Sequence, residues 1–531
     1  MNIYFLGMCI SMAVYIMVGA WVSRRIRTTE DYYVAGRRAP ALLIAGSLIA
    51  SYTSTGMFMG DASTFFQGAF TPMIILSSMQ LAGYIIGAVF FGRYLRRSKV
   101  LTIPEFFGKR FCSKKMKNLA AITAVITMTV YLLATVQGIG TLMTVVTGVD
   151  YKLCVILALI VFSILTILSG STGVLITDTM MAALFTGILV VATFIISWRT
   201  GGWFHSIAEI AASPQLTDYL SWKGQPGVIY DTGAENVAWG LIYGIVWMSV
   251  CMIGPWQSSR YLMAKSEHTV VRSALPAALG IFFLELLVGM SAVFVNLMHP
   301  DLDDPSHVLI WAAMNLLPKI LGVLLLTGVL AAGISSATTF LSLIGASFAN
   351  DILGKEKEHH IRTGRIFMVI ASVVVLTFAL TNPPSIFWIM FLGGAIVSAA
   401  WMPVALGCVL SKRLTKAGAF AGMLTGFLAC FGMRLFQHFT GVTLPVWLDP
   451  SLFGMECNIV AMIIGSALTR VTSEETAARE RMFVVPETER KKEDILGTLR
   501  NTKQIGVMGV FITVILLVLW AIPYLRATGR I

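Results

Sequence analysis

Ser47 to Thr55 reads SLIASYTST, and Gly56, Gly60 and Asp61 follow it inside one apolar run. A plain lipid-facing span has no need of so many hydroxyls. Ser and Thr in such a helix either bond to backbone carbonyls and line close helix contacts, or mark a break whose freed carbonyls hold a cation. Gly56 makes such a break cheap, because it has no Cβ to restrict the backbone. A second stretch of the same kind, LAAGISSATTFLS, runs from Leu330 to Ser342. There Ser335, Ser336, Thr338 and Thr339 put four hydroxyls within about one and a half helical turns. A hard monovalent cation needs several oxygen ligands, and hydroxyls with freed carbonyls supply them without a fixed full charge. Two such stretches in helices far apart in sequence point to a cation site more strongly than either alone.

The rest of the chain supplies the membrane that these helices need. Of 531 residues, 56% are hydrophobic and 12% charged, against about 25% charged in an ordinary soluble domain. Runs of about 20 apolar residues, the length that crosses a hydrocarbon core, recur from end to end. They predict an all-α integral membrane protein of about fourteen transmembrane helices. The expected spans are 2–22, 41–69, 72–92, 119–147, 151–169, 174–197 and 237–258, then 273–298, 320–349, 366–381, 385–410, 417–439, 452–469 and 504–524. The first run, Asn2 to Val22, has no basic stretch ahead of it and no small-residue cleavage site, so it reads as a retained helix and not a signal peptide.

The formal charge of +12 sits in short loops between spans, which argues for topology and against nucleic acid as a partner. Basic loops at 24–38, 93–117, 260–272, 355–365, 412–416 and 470–503 alternate with loops that lean acidic at Asp218, Asp231, Glu235, Asp301, Asp303 and Asp304. Lys and Arg are enriched in short cytoplasmic loops. The expectation is a plasma (inner) membrane protein with multiple passes and both termini outside. The seven Cys have no metal-ligand spacing. No phosphate-loop motif is found, so an ion gradient is the simplest source of energy.

Ionisable residues inside spans are costly and are functional candidates. Asp178 is either a helix-start carboxylate favoured by the macrodipole or a functional group. Glu285, central in IFFLELLVG, could pair with a buried donor, stay protonated, or couple to a proton or a cationic substrate. Asp61 and Arg434 lie nearer helix ends or polar neighbours, where structural pairing is equally open. Trp256, Trp388 and Trp401 each read individually as packing or interface residues.

At these residues the chain resembles the sodium/solute symporter family, whose members carry proline, pantothenate, glucose, sialic acid, choline or iodide. DYYVAGRR (Asp31 to Arg38) is similar to the loop entering the family's first core helix. GPWQSSRYLMAKSEHTVVRSA (Gly254 to Ala274) is similar to the loop after its sixth, and AAGISSATTFLSLIGASFANDIL (Ala331 to Leu353) to its eighth. The resemblance implies a LeuT-like core of two inverted five-helix repeats. Residues 1–38 would be a leading helix and cytoplasmic loop, 39–410 the ten-helix core, and 411–531 three trailing helices with a charged segment near 470–503.

The resemblance also implies a sodium ion between core helices one and eight, held by the carbonyls of Ala50, Thr53 and Ala332 and the hydroxyls of Ser335 and Ser336. Asp178 matches a residue of the fifth core helix involved in sodium handling. The solute site would lie beside the first-helix break, lined by Tyr52, Ser54, Gly56 and Met57. Gln137, Trp256, Gln257, Thr339 and Trp388 would reach it from helices three, six, eight and ten. Proline carriers have an Asp and a Trp where this chain has Tyr52 and Gly56, and the polar cluster of the sugar carriers is missing. Asn382 to Arg413 looks closest to the pantothenate-like branch. The expected function is therefore sodium-coupled import of a small organic solute by alternating access, the solute carboxylate-bearing as pantothenate, an amino acid or a monocarboxylate is. The alternatives are a cationic solute such as choline, with Glu285 or Asp61 as the coupling carboxylate and Tyr52 and Trp256 offering π faces, a passive channel, or a transporter-like membrane sensor.

Overall fold

The computed structural model describes residues 3–24, 28–354, 360–381, 386–442 and 444–531, leaving aside the side chains at 23, 168–172 and 360. Parts of the expected basic loops, at 25–27 and 355–359, and the start of the Asn382 to Arg413 stretch, at 382–385, lie outside the described residues. Among the described residues all regular structure is helical, apart from one isolated β-bridge between Ala39 and Ala264. In chain order the principal helices are α1 (Ile3–Ser23), α2 (Ala41–Tyr52), α3 (Gly56–Phe66), α4 (Phe70–Arg97), α5 (Lys114–Thr147) and α6 (Tyr151–Arg199). They continue with α7 (Gly233–Ile253), α8 (Pro255–Met263), α9 (Glu267–Val295), α10 (Lys319–Ile352) and α11 (Ile361–Ala379). The last are α12 (Ile386–Leu410), α13 (Lys416–Thr440), α14 (Pro450–Ala467), α15 (Ser473–Phe483) and α16 (Lys492–Ala527).

Among the described residues, twelve helices are long and apolar enough to cross a bilayer, and thirteen if the bent pair α2 and α3 counts as one span. The expected fourteenth is Tyr151–Ile167, an apolar stretch of α6 just short of spanning length. The run Tyr151–Arg199 holds 49 helical residues. Straight, it would measure about 74 Å, more than twice the hydrocarbon thickness, so it is not one perpendicular span.

Two breaks interrupt spans inside the bundle. Between α2 and α3 the axis bends by 49°. Thr53 leaves the helical region at φ −69°, ψ 72°, and α3 resumes with a wide π turn over Gly56–Asp61. The second break separates α7 from α8 at Gly254, whose backbone is extended at φ −50°, ψ 135°. Pro255 follows, a residue suited to a helix start because the missing N–H would be unpaired there. Five expected spans separate the start of α2 from the start of α7, the offset that a five-plus-five repeat requires. Interrupted helices in corresponding positions of two halves are the usual frame of a transporter's binding site.

The two ends of the bundle differ in charge. At one end Arg110 donates to the Cys408 carbonyl at 3.1 Å, Lys117 to that of Asn350 at 3.1 Å, and Thr102 to Asp351 at 2.8 Å. The DYYVAGRR loop is folded against the same end, with Arg37 on the Val100 carbonyl at 2.8 Å and the Ala39 amide on that of Met263 at 3.1 Å. Asp304 lies at the other end. So do both termini, since Tyr4 packs by Gly322 near the start of α10 and Tyr524 bonds the Thr217 carbonyl at 2.8 Å.

The charged segment 470–503 is not a free tail. Glu475 on α15 caps the Lys416 amide at the start of α13, and Arg479 bonds the Val409 carbonyl at 2.7 Å. Further on, Phe483 packs on Tyr94 with ring centroids 4.9 Å apart. His268 uses both ring nitrogens, on Thr498 and on the Glu489 carbonyl, each at 2.8 Å. The segment therefore straps together the ends of four helices, α4, α9, α12 and α13.

Candidate functional site

Gly46 brings α2 against α6, because a Cβ there would lie 2.7 Å from Thr179. One residue on, Ser47 donates to Asp178 Oδ2 at 2.6 Å. Ser335 of α10 donates to Asp178 Oδ1. Arg260 of α8 completes the group, with an ion pair to Asp178 at 2.9 Å and bonds to Ser47 at 3.0 Å and Thr339 at 2.9 Å. Asp178 and Arg260 are essentially inaccessible to water. Four helices thus converge on one carboxylate, in mid-helix and not in the helix-start position that the macrodipole reading required. A charge buried this deeply is tolerated because it is paired and its remaining lone pairs accept hydrogen bonds.

Beside this cluster the first break abuts α10. Gly333 makes the approach possible, since a Cβ would meet Ile139 at 2.8 Å and Thr55 at 2.9 Å. Thr53 Oγ1 turns back onto the Ile49 carbonyl at 3.0 Å and the Ala50 carbonyl at 3.3 Å. The hydroxyls of Ser336 and Thr55 are wholly buried and have no hydrogen-bond partner. Orphaned buried oxygens are rare in folded proteins. A cation would satisfy them.

On the other side of the break lies a cavity of about 20 Å³. Tyr52, Ser54, Met57 and Asp61 line it from the break, Tyr131 and Thr135 from α5, Trp247 and Trp256 from α7 and α8, Phe340 from α10 and Met390 from α12. Its walls are aromatic: Tyr131 and Trp256 have ring centroids 4.3 Å apart, and Phe340 lies 5.6 Å from Tyr131. Tyr52 donates to Glu285 of α9, and Gln80 of α4 donates to Tyr52 at 2.7 Å. Asp61 and Glu285 are both buried. Among the described residues, no Lys or Arg lines the cavity. Toward the Asp304 end, a vestibule of about 560 Å³ reaches down to Gly60, Gln137 and Phe387. Met390 fills the space that a side chain at Gly56 would take, its sulfur 1.9 Å from a Cβ there.

The profile of the Sodium:solute symporter family matches residues 32–426. That range holds both breaks, the Asp178 cluster and the aromatic cavity. The chain belongs to the sodium:solute symporter family. Among its curated relatives, the sodium/proline symporter of Staphylococcus aureus is 24% identical over 474 residues, covering 84% of this chain and 88% of the relative. Similar solved structures include a substrate-bound, outward-open Na+-coupled sialic acid symporter, with a TM-score of 0.72 at 18% identity, covering 89% of this chain and 99% of that one. A nucleobase-cation-symport-1 family transporter, closed with bromovinylhydantoin bound, aligns with a TM-score of 0.55 at 11% identity, over 85% and 98%. The fold is the LeuT-like one, and the protein is a transporter and not an enzyme.

Within this symporter fold the expected residues divide into three groups. Tyr52, Ser54, Met57, Trp256 and Asp61 line the cavity, Gly56 borders it under Met390, and Glu285 stands behind Tyr52. Ser335 and Thr339 belong to the Asp178 cluster, while Ala50, Thr53, Ala332 and Ser336 are buried around the break and α10. Gln257 accepts from Ser51 at 3.4 Å, and Gln137 faces the vestibule. Trp388 is not at the cavity. It is 47% exposed, and its neighbours Phe387 and Met390 point inward instead. Arg434, the other ionisable candidate, pairs with Asp449 at 3.4 Å and bonds Tyr243 at 2.9 Å.

Several functional neighbours escaped the sequence reading. Arg260 was expected in a loop, yet it lies in a half-helix inside the bundle; the Gly254–Pro255 dipeptide, a turn signal within an apolar run, could have exposed this. Tyr131, Trp247 and Gln80 carry no distinguishing pattern.

Proposed function

We propose that this symporter uses a sodium gradient to import a small organic solute bearing a positively charged nitrogen. The observation that carries the solute class is the cavity itself, where aromatic faces meet the carboxyl of Asp61, with Glu285 behind Tyr52 and no basic side chain among the described lining residues. An ammonium group gains from π faces and from a nearby carboxylate. A purely anionic solute would have to enter against that charge. This favours the cationic alternative over the carboxylate-bearing solute expected from the pantothenate-like stretch. Trp247 Nε1 and Tyr131 Oη, buried in the cavity wall without partners, suit an oxygen acceptor on the same solute, so a zwitterion such as an amino acid or a betaine fits both features.

The sodium would sit between the first break and α10, on the carbonyls of Ala50, Thr53 and Ala332 and the hydroxyls of Ser335 and Ser336. The orphaned Ser336 hydroxyl supports this assignment. Asp178, held by Arg260, would fix the Ser335 hydroxyl beside it. The basic end is the cytoplasmic one under the charge rule for short loops, so both termini face outward and the vestibule opens outside. Residues 39–410 form the transport core. Sodium binding favours the state that accepts solute, and one charge crossing 100 mV adds about 2.3 kcal/mol of drive.

A thermal-shift screen of the purified protein tests the solute class. Choline, glycine betaine and amino acids should stabilise it in sodium and not in potassium, whereas pantothenate and lactate should not. Stabilisation by the anions alone would overturn the cationic reading.

A further inference from the structure

At the basic end of the bundle α15 packs on the end of α4 and on the short helix Ile103–Arg110, and a pocket of about 660 Å³ remains between them. Among the described residues, four basic side chains line it, Arg97, Lys109, Arg110 and Arg481, against the single carboxylate of Glu474. Two of the four are answered elsewhere. Arg97 pairs with Glu267 at the start of α9, and Lys109 with Glu105 at 2.9 Å. The other two make no ion pair among the described residues. Arg481 is exposed to solvent. Arg110 is only 2% exposed, yet its described partners are backbone carbonyls alone, that of Cys408 at 3.1 Å from Nε and that of Glu475 at 3.4 Å from Nη1. Its Nη2 makes no hydrogen bond among the described residues. A buried guanidinium without a counter-charge is costly. The bias of short loops toward Lys and Arg accounts for basic residues at this end, but it gives no reason to bury one unpaired beside an open pocket.

We propose that this pocket binds a phosphate group, with Arg110 and Arg481 as its main ligands and Arg97 and Lys109 adding positive charge. The fork of a guanidinium matches two phosphate oxygens at once, and Arg110 has an N–H donor to spare. At a membrane surface the phosphate has two sources, the headgroup of an anionic phospholipid and a dissolved phosphate, and basic pockets at the ends of spans suit the first. Phe106 and Met482 give the pocket an apolar wall beside its charges. The bound group ties α15 to α4, and through Arg110 to the Cys408 carbonyl of α12, so it fastens the 470–503 strap to the transport core.

The test uses the full chain, purified in neutral detergent at constant ionic strength and followed by thermal shift. The probes are dioctanoyl phosphatidylglycerol, dioctanoyl phosphatidylcholine, inorganic phosphate and pyrophosphate. Phosphatidylglycerol should stabilise the protein and phosphatidylcholine should not. Arg481→Ala should raise the half-maximal concentration about fivefold, the worth of one basic side chain near a charged headgroup, and Arg110→Gln should raise it at least as far. Lys412→Ala, an exposed position at the same end that does not line the pocket, should bind as the wild type does. Should Arg110→Gln fail to fold, the exposed Arg481 against the Lys412 control decides. A response to inorganic phosphate or pyrophosphate without one to phosphatidylglycerol supports the site and places its ligand in solution. No response to any of these three, or a response that Arg481→Ala and Lys412→Ala change equally or leave unchanged, overturns it.

Discussion

Among the described ion pairs, Arg260 and Asp178 are the most deeply buried, with almost no side-chain surface in contact with water. Removing one partner leaves the other charge buried and alone, a loss that typically runs to about 3–5 kcal/mol. Arg260→Ala is therefore expected to lower the unfolding temperature in detergent sharply, and Arg260→Ala with Asp178→Asn to recover part of the loss. If the double variant were no better than the sum of the singles, the pair would not be coupled. Gly56 makes a different kind of demand. Its missing side chain is the space that Met390 fills, and a thioether is flexible enough to move. Gly56→Ala should fold at near wild-type stability yet shift apparent solute affinity several-fold, read by the same thermal titration. Unchanged affinity would show that Met390 does not border the solute.

At the scale of elements, the two breaks and the approach of α10 to the first of them set the site. Gly333 is the contact point. A β-branched side chain there would collide with Ile139 and Thr55, and overpacking of this kind costs about 1–3 kcal/mol. Gly333→Val should weaken sodium-dependent stabilisation more than it weakens folding, measured as the sodium concentration at half-maximal thermal shift. A sodium response as strong as the wild type's would move the site elsewhere. The first break was legible because hydroxyls and glycines crowd into SLIASYTST and the residues after it. The second was not, since the span was read as ending near 258, and Arg260 then looked like ordinary loop charge. Trp388 and Phe387 show another limit. One residue turns a helix by about 100°, and IFWIMF is apolar on every side, so no pattern says which ring faces inward.

For the whole molecule, spanning was readable from hydropathy and loop charge, and the family from the loop at 31–38 and the residues of α8 and α10. Which residues share the solute cavity was not readable, because Tyr52, Asp61, Tyr131, Trp247 and Phe340 come from five helices and only packing unites them. Orientation has its own check at this scale. With the exposed Cys9 and Cys112 replaced by Ser, Arg413→Cys should react with a membrane-impermeant maleimide only after cells are opened, and Asp303→Cys in intact cells. The reverse pattern would invert the topology. The central claim is that sodium drives solute uphill through this fold, and it is tested most directly by choline or glycine betaine uptake into proteoliposomes under an imposed inward sodium gradient. The account predicts accumulation above the outside concentration, absent with potassium and strongly reduced in the Ser335→Ala, Ser336→Ala double variant. Uptake that merely equilibrates, or that keeps its sodium dependence in the double variant, would contradict it.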